Sequence, residues 1–152
     1  MNNDMETHEE RLGTLVQKLK ASGQRMTPQR LAVLRILAAS DEHLSAEQIY
    51  ARVQTQYPMT SLATIYNTLT LLRDMGQVLE IGIGRVGCRY DGLNPDPHPH
   101  LICTQCNTIV DAHLPALSEV AQQMQQTTGF QIVSHRLDFF GLCPECQARQ
   151  NH

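Results

Sequence analysis

The sequence contains no apolar run approaching the roughly 20 residues that a membrane-spanning helix needs. Its opening stretch, MNNDMETHEERLG, is acidic and lacks the apolar core of a secretion signal, so the chain is expected to stay in the cytoplasm and off the membrane. There is no internal repeat and no low-complexity tract. H-E-x-x-H and the Gly-rich phosphate loop are both missing, which removes the most recognisable signatures of a zinc peptidase and of a P-loop nucleotide site. Neither sign of charge dominates: the net charge of -3 argues against a uniformly basic nucleic-acid protein.

What is present is a chain of 152 residues, 41% hydrophobic and 18% charged, the profile of a globular protein. That length fits one ordinary domain or two small ones, and small domains often need a staple such as zinc to supplement a thin core. The charge is unevenly placed. From Arg11 to Gly76 eight Lys/Arg stand against four Asp/Glu, whereas from Ile81 onward four stand against six. A basic surface therefore belongs to the first half.

Leu12, Leu15, Val16 and Leu19 recur at helical spacing, and Gly23 ends that helix. Thr27-Pro28 opens a second helix, with Thr as cap and Pro at the first helical position; Met26 and Leu31 occupy the places of a hydrophobic staple. Ser45-Ala46-Glu47-Gln48 is a capping box for a third helix ending before Pro58. A four-residue turn, Tyr57 to Thr60, leads to a fourth helix capped by Ser61 and stopped by Gly76, so the third and fourth form a helix-turn-helix candidate.

Along that fourth helix Leu62, Ile65, Leu69, Leu72 and Met75 make an apolar stripe, leaving Ala63, Tyr66, Asn67, Thr70 and Arg73 on the other side. These small, polar and aromatic groups suit base edges and phosphates in a major groove, and Ser61, Ala63, Thr64, Tyr66, Asn67 and Thr70 are the candidate DNA contacts. An ordinary solvated surface helix has the same periodicity. Val78–Ile83 and Cys88–Asp91 flank Gly84-Arg85-Val86-Gly87, a hairpin signature in the place of a wing. The turn-forming segment from Gly92 to Pro97 reads as a linker. Beyond it the pattern predicts strands near 100–103 and 108–113, a helix from Leu114 to about Thr128 with Leu117, Val120, Ala121 and Met124 on one face, and a longer strand over 130–140.

Of five cysteines, four form two C-x-x-C pairs, Cys103/Cys106 and Cys143/Cys146, while Cys88 stands alone and reads as a buried or half-buried strand residue. In a reducing compartment such pairs read as metal ligands, because a two-residue spacing lets one turn offer two thiolates to a tetrahedral zinc ion. The 36 residues between the pairs exceed a usual zinc-ribbon interval, so a strand-helix-strand excursion must fit within it. A thioredoxin-like redox site would need only one pair at a helix start. A second constellation, His98-Pro99-His100 with Asp111-Ala112-His113, places imidazoles and a carboxylate on shared strand faces. Nitrogen and oxygen donors suit iron, manganese or zinc, and the competing interpretation is a solvated polar loop.

Taken in order, RMTPQR at 25 to 30, HLSAEQIY at 43 to 50, SLATIYNTL at 61 to 69, HPHLICTQC at 98 to 106 and CPEC at 143 to 146 resemble the ferric uptake regulator superfamily, and within it the peroxide-sensing repressors. The resemblance runs from about Leu15 to the C-terminus. It implies an α+β fold: a winged helix-turn-helix DNA-binding domain over 1–91, a linker over 92–97, and a small C-terminal α/β dimerisation and metal-binding domain over 98–152 with a four-cysteine structural zinc site. It implies Cys103, Cys106, Cys143 and Cys146 as ligands of structural Zn2+, and His43, Asp91, His98, His100 and Asp111 as ligands of a regulatory Fe2+ or Mn2+. Tyr66 would approach bases and Arg30 the DNA backbone or groove, with a homodimer on a palindromic double-stranded operator.

Aspartate at both 91 and 111, where iron- and zinc-uptake members usually carry glutamate, resembles the peroxide sensors, in which iron-catalysed oxidation strikes a histidine matching His43 or His98. Pro99 departs from their usual pattern. The expected function is thus a metal-dependent repressor sensing hydrogen peroxide, not an enzyme. An iron-, zinc- or manganese-responsive uptake regulator is the nearer alternative. A zinc hydrolase would need an open coordination site and a general base, and a zinc-stapled interaction module would leave the helix-turn-helix, wing and local positive charge unexplained.

Overall fold

A computed structural model describes residues 6–150. Residues 1–5 of the acidic opening stretch and the last two residues lie outside the described part. The chain divides into two compact units, Met1–Asp96 and Pro97–His152. The segment read as a linker falls largely in the first: Gly92 is buried, and a Cβ there would stand 2.7 Å from Leu37 Cβ.

Four helices and a hairpin build the first unit: α1 (His8–Ala21), α2 (Pro28–Ala39), α3 (Ala46–Gln54), α4 (Leu62–Asp74), β1 (Leu79–Gly82) and β2 (Cys88–Asp91). Local chemistry sets the helix starts. Thr27 Oγ1 accepts from Arg30 N with Pro28 at the first position of α2, and Ser45 with Gln48 closes a reciprocal capping box on α3. A further capping box, Thr7 with Glu10, starts α1.

The core is a single cluster in which Leu15 and Leu19 of α1, Val33, Leu34 and Leu37 of α2, Ile49 and Val53 of α3, and Ile65, Leu69 and Leu72 of α4 interlock with Val78 and Tyr90. Each large aliphatic buried there contributes about 1.5–3 kcal/mol. Leu62 and Met75, expected in the α4 stripe, are only half-buried, and Thr68 is buried in their stead, its hydroxyl donating to the Thr64 carbonyl at 2.9 Å.

Between α3 and α4 the connection is longer than the expected four residues. The Tyr57–Thr60 turn is present, closed by Thr60 N donating to Tyr57 O at 3.0 Å, but α3 already stops at Gln54, where the Thr55 hydroxyl bonds back to the Arg52 carbonyl. β1 and β2 pair antiparallel, Leu79 opposite Asp91, and a 3-10 turn over Gly84–Val86 joins them. Tyr90 N donates to Leu44 O at 2.8 Å, so the hairpin is tied to the residue just ahead of α3.

In the second unit β3 (His100–Cys103) lies between β4 (Ile109–Asp111), antiparallel, and β5 (Asp138–Gly141), parallel. The crossover to β5 carries α5 (Ala116–Thr128), which Gly129 ends with φ 75 and its N–H on Gln125 O. A short α6 (Pro144–Gln150), unread in the sequence, follows β5.

The strand expected over 130–140 shrinks to four residues. Its partner β3 begins at His100: on the β5 side the ladder starts with His100 N donating to Leu137 O, while Pro99 turns its backbone toward β4, where its carbonyl accepts from Ala112 N. The anticipated apolar face of α5 exists but lies open, with Val120 46% and Met124 53% exposed.

Candidate metal centre and nucleic-acid interface

In the second unit the two C-x-x-C pairs meet. Cys103 ends β3, Cys106 follows on the turn toward β4, and Cys143 and Cys146 flank the start of α6; their sulfurs all lie within 4.8 Å of one another. Four sulfurs from two turns at that spacing fit a structural zinc site. Cys106 Sγ and Cys143 Sγ are 3.7 Å apart, and Cys143 N donates to Cys103 Sγ at 3.4 Å. The backbone N–H groups of Cys106 and Cys143 push the Cys103 thiol down to about 6, while burial pushes Cys146 up to about 12. Backbone N–H donors at the Cys103 sulfur favour the thiolate, the form that zinc takes.

The same sheet sets out a second donor group. His100 is the register partner of Asp111 on β4 and of Asp138 on β5, so one face of the sheet carries a carboxylate–imidazole–carboxylate row. His98 joins it just before β3, its ring centroid 4.4 Å from that of His100. Nε2 of His98 lies 3.0 Å from Asp111 Oδ1 and 3.1 Å from Nε2 of His100. Burial and the neighbouring His98 hold the His100 pKa below its ordinary value, against the pull of Asp138 and Asp111, which favours the neutral imidazole that a metal requires. Two imidazole nitrogens and a carboxylate oxygen in one place suit a divalent transition metal. His113, beyond the end of β4, is exposed.

In the first unit His43 Nε2 stands 3.5 Å from Asp91 Oδ2, both side chains only 8% exposed. Asp91 Oδ1 accepts from Leu93 N and Asn94 N, each at 2.9 Å, which leaves Oδ2 turned to the imidazole. Burial alone would raise the Asp91 pKa; the His43 contact and the two N–H groups outweigh it and hold the carboxyl below its usual range.

On α4 of this unit Ala63, Tyr66, Asn67 and Thr70 are exposed and Thr64 is half-buried. Ser61 is the N-cap, its Oγ 2.9 Å from Thr64 Oγ1, so both hydroxyls are partly committed to starting the helix. Arg30 lies on α2 with Nη1 donating to the Arg25 carbonyl at 2.7 Å. Two residues that the sequence did not single out touch these groups: Glu47, which accepts from the Tyr66 phenol, and Asp138, which lies against His100. Glu47 lies inside the capping-box segment of α3, but local sequence marks neither contact; both form only through tertiary folding.

The sequence profile of the ferric uptake regulator family matches residues 21–140. The peroxide-responsive repressor PerR of Staphylococcus saprophyticus is 42% identical over 147 residues, covering 97% of this chain and 99% of its own. The peroxide operon regulator of Bacillus subtilis is 41% identical over 148 residues, covering 97% of this chain and all (100%) of its own. Among solved structures, the ferric uptake regulator Fur of Helicobacter pylori superposes with a TM-score of 0.79 at 27% identity, covering 94% of this chain and 95% of its own. With the family profile spanning most of the chain and near-full-length relatives on either side of it, the chain belongs to the ferric uptake regulator family.

Proposed function

We propose that this chain is a metal-dependent transcriptional repressor that binds palindromic operator DNA as a homodimer in the cytoplasm and senses hydrogen peroxide. The observation that carries the reading is the donor set: His43 with Asp91 in one unit and His98, His100 and Asp111 in the other, with the short aspartate arm at both carboxylate positions. Both curated relatives described above are named as peroxide regulators.

In this reading Cys103, Cys106, Cys143 and Cys146 hold structural zinc, and the five nitrogen and oxygen donors share one regulatory ion. Arg30, Ser61, Ala63, Thr64, Tyr66, Asn67 and Thr70 face the operator. Iron held there would supply cleavage of the peroxide O–O bond; His43 or His98 would offer the imidazole ring that takes up one oxygen, the other leaving as water. An oxidised imidazole would be a poorer donor to the ion.

The dimer is supported by the face of the β4-β3-β5 sheet opposite the histidine row. There Leu101, Val110 and Phe139 form a cross-strand row, 47%, 51% and 51% exposed. Open apolar surface on so small a unit is what a second copy would cover.

The test uses full-length chain, zinc-loaded and then given Fe2+ without air or Mn2+, on a duplex selected from a random palindromic library. Both forms should bind in a salt-dependent way, and mild peroxide should release only the iron form, with one added oxygen on His43 or His98 by mass spectrometry. An iron form that keeps the duplex, with oxygen only on methionines or Cys88, would instead mark a metal-uptake regulator.

A further inference from the structure

Asp138 stands outside the five donors, yet it is the closest carboxylate to the rear of one of them. Its Oδ1 lies 3.2 Å from His100 Nδ1, and its Oδ2 accepts from Arg136 Nε. The His100 and Asp138 side chains are 4% and 8% exposed, whereas Arg136 is 55% exposed and Asp111 44%. The two carboxylates on either side of His100 are therefore unlike. Asp111 is open and faces the Nε2 edge of the ring; Asp138 is enclosed, faces the Nδ1 edge, and has both oxygens engaged.

A neutral imidazole has one N–H and one lone pair, and a metal can use only the lone pair. Left to itself in water the ring places its proton mainly on Nε2, the wrong side here. A buried carboxylate at Nδ1 reverses this, since an acceptor-only oxygen at 3.2 Å needs the proton between it and the ring. Arg136 Nε donates to the other oxygen of that carboxylate and fixes its rotation. The parallel pairing of β3 with β5 sets the distance, because His100 and Asp138 are direct register partners.

We propose that Asp138 is a positioning residue for the regulatory ion: it holds the His100 proton on Nδ1 and aims the Nε2 lone pair toward His98 and Asp111. This rests on the reading that those residues ligate the ion. Carboxylates placed behind a ligating imidazole in this way raise its basicity and fix its orientation, and their loss typically weakens metal binding about 10–100-fold.

The experiment compares full-length, zinc-loaded wild type with Asp138→Ala, Asp138→Glu and His98→Ala. Imidazole 15N shifts in the chain free of regulatory metal read the His100 tautomer, chelator competition reads Mn2+ affinity, and zinc content with circular dichroism reads the fold. The expected result is a wild-type proton on Nδ1, its loss from that site in Asp138→Ala, Mn2+ binding weakened about 10–100-fold, and partial recovery in Asp138→Glu, with zinc and fold retained. A wild-type His100 protonated on Nε2 overturns the proposal without any variant. So does a folded Asp138→Ala chain that binds Mn2+ like wild type while His98→Ala does not. If His98→Ala also binds Mn2+ unchanged, the regulatory site itself is misplaced.

Discussion

The phenol of Tyr66, on the exposed side of α4, donates to the carboxylate of Glu47 in the first turn of α3 at 2.7 Å. That hydroxyl is the main reason the Glu47 pKa lies below its ordinary value of 4.5, and the same bond raises Tyr66. A carboxylate depressed in the folded state contributes its contact above the ordinary Glu range and loses it as pH falls through the lowered value. Tyr66→Phe should therefore return Glu47 upward in a carboxyl 13C titration. Global stability should barely move, since both groups are exposed.

Tyr66→Ala removes the ring as well as the phenol. Operator affinity should fall by about 1–3 kcal/mol, the worth of one base contact, with zinc content and dimerisation unchanged. Fluorescence anisotropy on the selected duplex measures it; an unaltered affinity would remove α4 from the groove.

Cys143→Ser takes one sulfur from the cluster in which Cys143 lies 3.7 Å from Cys106. Structural zinc contributes on the order of 10 kcal/mol of apparent binding free energy, comparable to the whole stability of a small domain. The variant should lose its zinc and melt the second unit, seen as lost metal in elemental analysis and lost ellipticity. Full zinc content would refute the assignment.

Gly92→Ala tests a close approach. The added methyl would meet Leu37 Cβ at 2.7 Å and the Leu37 carbonyl oxygen at 2.8 Å, neither of which is the free end of a flexible chain. Overpacking of this kind costs about 1–3 kcal/mol, so the melting temperature of the metal-free chain should drop. Metal affinity should fall as well, because Asp91 is the preceding residue and its carboxylate is fixed by the amides that follow Gly92.

Asp111→Glu lengthens the exposed carboxylate arm beside His98. We expect metal-dependent operator binding to persist while the peroxide response of the iron form is blunted, because a longer arm can close the coordination position that peroxide needs. Release of the duplex at the wild-type peroxide dose would contradict this.

Helix starts were legible because their chemistry is local: Thr27 with Arg30 and Ser45 with Gln48 lie three residues apart and need no tertiary partner. The cysteine pairs were legible for the same reason. Strand lengths were not, since the reach of β5 depends on where its partner β3 begins, a fact about a distant segment. Asp138 was hidden likewise: 38 residues separate it from His100, and nothing near it in sequence marks it out. The apolar positions of α5 were readable, but periodicity says only that a face exists and not what covers it.

Arg11 of α1 is 4% exposed, its Nε donating to the Gly92 carbonyl at 2.7 Å and its Nη2 to that of Gln77 at 2.5 Å. Gln77 comes just before β1 and Gly92 just after β2, so a single guanidinium fastens both feet of the hairpin to the first helix. Neither strand can peel away without leaving that buried charge short of an acceptor, which makes one-sided fraying costly. Hairpin and α1 should therefore open together as one cooperative unit, and their slowest amide protons should exchange with solvent at a common free energy although more than sixty residues separate them in sequence.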